Sequence, residues 1–185
     1  MILSSPAADP IIEDVRQWVD RAVIGLNLCP FAKAVQIKGQ IRYVVSDATD
    51  AEGVLQDLGD ELMQLIEAEP DAIDTTLLIL PEALQDFYDF NDFEELSEQL
   101  LKRMRLEGQL QVATFHPAFQ FADTQPDDIE NYTNRSPYPI LHLLREESID
   151  RAVEAFPDAA EIYEKNIETM RELGHAGWQK LMDET

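Results

Sequence analysis

The chain has 185 residues, 37 acidic and 14 basic, with a formal net charge of −23 and a pI near 4.2. That balance excludes docking on a nucleic-acid backbone or an anionic membrane surface, both of which need clustered Lys and Arg. With 45% apolar residues, two Trp, five Tyr and eight Phe, the sequence is too apolar for an acidic disordered chain. It reads as one soluble domain over 1–185, with residues 1–8 a flexible lead-in.

Taken in chain order, Ile11, Val15, Trp18, Ala22 and Leu26 recur at helical spacing behind Asp9 and Pro10. They predict a helix that stops before Cys29-Pro30. Residues 41–46 read as a strand. Thr49 and Glu52 form a capping-box pattern for a helix over 50–68. The apolar run 75–80 is a second strand, closed by Pro81. Asn91 and Glu94 suggest a second capping box, opening a helix over 91–106 that Gly108 ends. A third strand over 109–115 leads into a long loop, 118–137, of the length that often carries function. Residues 139–144 form a fourth strand. Ser148 caps a helix ending near Pro157, and a last helix covers 158–181. The expected architecture is α/β or α+β: a single sandwich domain with a mixed sheet of about four strands and about five helices. The first three strands run parallel and the fourth antiparallel.

The charge is unevenly spread. Segments 22–46, 108–122 and 131–145 contain no Asp or Glu, yet hold Lys33, Lys38, Arg42, Arg135 and Arg145, the single Cys and two of the three His. Buried strands exclude carboxylates in any case; a neutral-to-basic site inside an acidic shell is the sharper reading. Cys29 is a nucleophile or ligand as thiolate and a small hydrophobe as thiol. His116 sits at the carboxyl end of a strand, where open α/β sheets bind ligands, and its imidazole titrates near neutral pH. His142 shares a strand face with Ile140 and Leu144, opposite Leu141, Leu143 and Arg145, and if buried it needs a partner. The candidate catalytic set is therefore His116, Cys29 and His142.

The stretch 131–139 offers amides, hydroxyls and a guanidinium with no carboxylate to neutralise it. Arg135, Asn134, Ser136 and Asn131, with Lys33 and Arg145, form the candidate set for a phosphate or carboxylate group. The alternative for each is structural, as an ion pair or a turn. Cys29, His116 and His142 also have the residue types of a three-ligand zinc site. No CxxC, HxH or HExxH spacing occurs, so no metal is assigned. No glycine-rich phosphate loop and no GxSxG elbow occurs, and no cofactor is indicated.

Three motifs are specific together: Leu28-Cys29-Pro30-Phe31-Ala32-Lys33; Ala113-Thr114-Phe115-His116-Pro117; and Thr133-Asn134-Arg135-Ser136-Pro137-Tyr138-Pro139 running on to His142-Leu143-Leu144-Arg145-Glu146. With them the chain resembles a bacterial domain-of-unknown-function family of about this length. The resemblance implies a single-domain bacterial protein and brings no activity, substrate or cofactor.

No signal peptide and no run of about 18 apolar residues occurs, and one Cys forms no internal disulfide, which points to the cytoplasm. The expected function is to bind or act on a small anionic metabolite at the His/Arg/Asn/Cys site, as an enzyme or as a binding protein. The alternatives are an acidic adaptor for a basic protein and a metal-dependent hydrolase using Cys29, His116 and His142. The oligomeric state is not legible.

Overall fold

A computed structural model describes residues 8–156 and 161–183. Helix α1 (Ala8–Trp18) continues through a wider π-helical turn (Val19–Ile24) and ends in a bend at Asn27, where φ is +53°. A short helix, α2 (Ala32–Ile37), follows Cys29-Pro30 and precedes β1 (Ile41–Val45). Then come α3 (Ala51–Glu67), β2 (Thr75–Ile79), α4 (Phe87–Met104) and β3 (Leu110–Phe115). The long loop contains a 3₁₀ turn (Ile129–Asn134). Strand β4 (Ile140–Arg145), α5 (Glu146–Ala155) and α6 (Glu161–Asp183) complete the described chain, with α6 broken at Gly174 (φ 63°). The result is an α+β fold with a four-stranded mixed sheet and five helices of ten or more residues, as the sequence pattern predicts.

Strand order is β1-β2-β4-β3. β1 pairs parallel with β2, while β4 runs antiparallel between β2 and β3. The first three strands thus share a direction, as expected, but β3 is not β2's neighbour. The crossover through α4 skips one position, and β4 fills it.

Alternation in the strands divides the core into two clusters. On one face Val44, Leu78, Leu80, Leu110, Leu141 and Leu143 pack against α3 and α4. On the other, Val45, Leu77, Ile79 and Ile140 pack against α1 and its π turn, with Trp178 of α6 beside them. Helix α3 shows why its sequence becomes this helix. Val54, Leu58, Leu62 and Leu65 all fall on the core side and are fully buried, each contributing about 1.5–3 kcal/mol. Its N-cap is Asp50, which accepts from the Gly53 N–H at 2.8 Å, rather than the neighbouring Thr49. Helix α4 likewise starts four residues before the expected Asn91. Asp86 caps it, accepting from the N–H groups of Tyr88 and Asp89. Helix α5 starts directly after β4, and Ser148 lies in its first turn instead of capping it. The expected flexibility of residues 1–7 and the helix end at Pro157 lie outside the described residues; Ala8 is already helical and buried. No helix among the described residues is long and apolar enough to cross a membrane.

Candidate functional site

The sheet separates the two strand histidines. Phe115 belongs to the α1 face, and the next residue, His116, turns to the other side, packing against Phe87 and Phe90 of α4. It is 1% exposed, and both ring nitrogens are taken. Nδ1 accepts from the Ala118 N–H at 3.0 Å, so Nε2 carries the hydrogen and donates it to the Leu84 carbonyl at 3.1 Å. Burial pushes its pKa below the ordinary value. This imidazole fastens the strand end to the loop before α4.

The polar run 131–139 is built inward as well. Asn131 is fully buried. Its Oδ1 accepts from the Phe121 N–H and the Thr124 hydroxyl, and its Nδ2 donates to the Gln125 carbonyl. Arg135 stacks on Tyr132 at 4.3 Å and donates to the carbonyls of Phe119 and Pro126. The Asn134 carbonyl accepts from the His116 backbone N–H, and the Ser136 hydroxyl donates to the Tyr138 carbonyl. Together they organise the 118–137 loop. Arg145 is 8% exposed, and its guanidinium meets the carbonyls of Leu65 and Ala68 at the carboxyl end of α3 and of Ile73 in the turn before β2. Three carbonyls and the negative end of the helix dipole offset the cost of burying that charge. Lys33 is exposed on α2.

Cys29 and His142 do come together, in the wall of one cavity of about 200 Å³ on the α1 side of the sheet. Its floor is Thr75, Leu77, His142 and Leu144 of the sheet, with Phe115 at one edge. Trp18, Val19 and Val23 close one side. The rest comes from two small helices: Phe31, Ala32 and Val35 around α2, and Ser148, Ile149, Ala152 and Val153 of α5. Neither α2 nor α5 has a fully buried residue, because their apolar sides face this space. Phe31 and Phe156 touch edge to face at 5.4 Å and link the two. The walls are almost wholly apolar. Asp74, at the rim, accepts from the Ser148 hydroxyl at 2.6 Å and lies 3.9 Å from Arg151. Among the described residues no Arg or Lys lines the cavity.

His142 is the polar feature of the floor. Its Nε2 is 2.8 Å from the Thr75 hydroxyl, which itself donates to the Leu143 carbonyl at 2.6 Å. Burial pushes its pKa down to about 4, so the ring is neutral at physiological pH. Cys29 is partly exposed and has a free thiol. His116 lies across the sheet from both, so these three residues do not surround one point. Among the described residues, no group of three His, Cys, Asp or Glu is arranged to hold a metal.

Sequence reasoning passed over Trp18, Thr75, Phe115, Ile149 and Val153. A signal for some of the wall was present, since half of the lining residues fall in the three acid-free segments. A second concavity, an open acidic groove, lies by the N-termini of α3 and α4 and includes Asp50, Glu82, Asp86, Asp89 and Asp92 around Leu84 and Phe93.

The fold and this cavity define the class: an α+β sandwich with an apolar cavity between the sheet and two loosely buried helices. The chain belongs to the DUF1415 family, proteins of unknown function, whose family model matches residues 10–180. Comparison with curated proteins and with solved structures finds no match.

Proposed function

We propose that this protein binds a small, uncharged, largely apolar molecule in the cavity between the sheet and helices α2 and α5. The observation that carries this reading is the cavity itself: about 200 Å³ of apolar space that brings Cys29 and His142 together. An engineered cavity of about 150 Å³ lined by aliphatic and aromatic side chains stays dry and takes up benzene. The space here is large enough for a substituted ring. The space is partly open to solvent, and a concave, mostly apolar pocket carrying a few polar groups is the usual form of a small-molecule site.

An anionic metabolite, expected from the basic residues of the acid-free segments, has little to hold it here. Two donors of Arg135 and the buried guanidinium of Arg145 serve backbone carbonyls, and the residue of charged type that lines the cavity is acidic, Asp74. A basic partner for an acidic adaptor would dock in the acidic groove, but Asp50 and Asp86 there are committed as helix caps. Nothing in the groove points to an occupant, and the cavity carries the reading instead.

The test is thermal denaturation with a panel of small probes: benzene, toluene, indole, benzoate and phenyl phosphate. Saturation at a hundredfold excess over Kd stabilises by about 2.7 kcal/mol. The neutral probes should raise Tm and the two anions should not. A panel that shifts Tm only with the anions refutes the reading.

A further inference from the structure

Resting on that reading of the cavity, we propose that His142 selects the ligand, its Nδ1 accepting a hydrogen bond from an uncharged, ring-sized molecule that bears a hydroxyl or an N–H. His142 lies in β4, which is paired on both edges, with β2 and with β3. Its sheet face is covered by helices, yet the side chain stays partly exposed. That exposure is to the cavity, whose floor the ring helps to form.

The hydrogen bonds fix which nitrogen is available. Thr75 has one hydroxyl proton, and it goes to the Leu143 carbonyl at 2.6 Å. Toward His142 the same oxygen can only accept, so the Nε2 at 2.8 Å carries the ring hydrogen. A neutral imidazole with its hydrogen on Nε2 has its lone pair on Nδ1. Among the described residues no donor meets that atom, nor is it a sealed orphan like the Trp18 indole nitrogen. With the ring's pKa pushed down to about 4 by burial, Nδ1 remains an acceptor at neutral pH. Away from the rim, where Asp74 and Ser148 pair with each other, and beside the Thr75 oxygen already facing the ring N–H, the cavity thus offers Nδ1 as a fixed, unengaged acceptor in an apolar wall. Such a site discriminates strongly in favour of a ligand that supplies the matching donor, because a buried polar group left unpaired is costly. An anion finds no unmatched positive charge at the rim, where Arg151 lies 3.9 Å from the Asp74 carboxylate.

The experiment is calorimetric titration of the full chain with phenol, toluene and anisole at neutral pH, using ethylbenzene as the size control. Phenol and toluene have nearly the same shape. In a purely apolar cavity the buried, unpaired hydroxyl would make phenol the weaker ligand. The proposal predicts that phenol binds at least as tightly as toluene and about tenfold more tightly than anisole, which cannot donate. In His142→Phe the preference for phenol over anisole disappears, whatever the change in toluene affinity as the larger ring reshapes the floor. If that variant does not fold, the phenol–anisole comparison on the wild type decides alone. Toluene binding without any preference for phenol overturns this proposal and leaves the cavity reading standing. No binding by any of the four overturns both.

Discussion

His142 makes acid stability a direct readout of how dry the cavity floor is. The unfolded chain takes up a proton on this residue near its ordinary pKa of 6.5, whereas the folded protein resists until about pH 4. Between those values the unfolded state binds more protons. Stability therefore rises with pH through the window and is lost as the pH falls through it. At pH 5 the two pKa values give a loss of about 2 kcal/mol relative to pH 7.5. For a chain of this length that corresponds to about 4–8 °C in Tm. The perturbation is His142→Gln, which keeps an N–H for the Thr75 hydroxyl and does not titrate. His116, also held neutral by burial, is present in both proteins and cancels. The assay is urea unfolding of wild type and variant from pH 7.5 to pH 5, above the pI of about 4.2. The wild type should lose about 2 kcal/mol more than the variant over that range. Parallel pH profiles would refute the reasoning and show that the ring is solvated by water in the cavity.

Three further outcomes follow from side chains already described. Arg145→Met strips the α3 carboxyl end of its guanidinium, leaving buried carbonyls unpaired, and should cost about 3 kcal/mol in urea unfolding; Arg145→Lys should recover less than half of it, since an ammonium cannot span the same three carbonyls. Asn131→Ala removes three hydrogen bonds from a fully buried amide, should destabilise by about 2–3 kcal/mol, and should speed limited proteolysis within 118–137, an effect visible by mass spectrometry of the first fragments. Cys29 shares the cavity wall, so saturating toluene should slow its alkylation by N-ethylmaleimide, whereas an unchanged rate would place the thiol outside the space the ligand fills.

Much of the fold is written in local pattern. The four residues Val54, Leu58, Leu62 and Leu65 specify α3 and its buried side, because helical periodicity is a property of neighbours in sequence. The exact caps were less legible, since Thr49 and Asp50 are both good capping residues and only the backbone geometry chooses Asp50. The insertion of β4 between β2 and β3 depends on pairing between segments far apart in the chain, which no local pattern records.

The candidate site divides for a similar reason. Arg135 stands out for lacking acidic neighbours in sequence and Arg145 closes an acid-free segment, and each takes backbone carbonyls as partners. Every residue has a carbonyl, so composition gives no hint of such a pairing. The convergence of Cys29 and His142 was in principle foreshadowed by the acid-free segments, which supply half of the cavity wall. That the shared space is apolar follows instead from the alternation that sets His142 among Leu77, Leu144 and Phe115.

The claim that the cavity is a binding site is tested most directly by methyl NMR during titration with toluene. Occupation of the cavity predicts shifts in the methyl groups of Val19, Val23, Leu144 and Ile149, which line it, while those of Leu58, Leu62 and Leu65, across the sheet, stay in place. Unmoved lining methyls at saturating toluene, or shifts confined to Leu84 and Leu96 of the acidic groove, would contradict it.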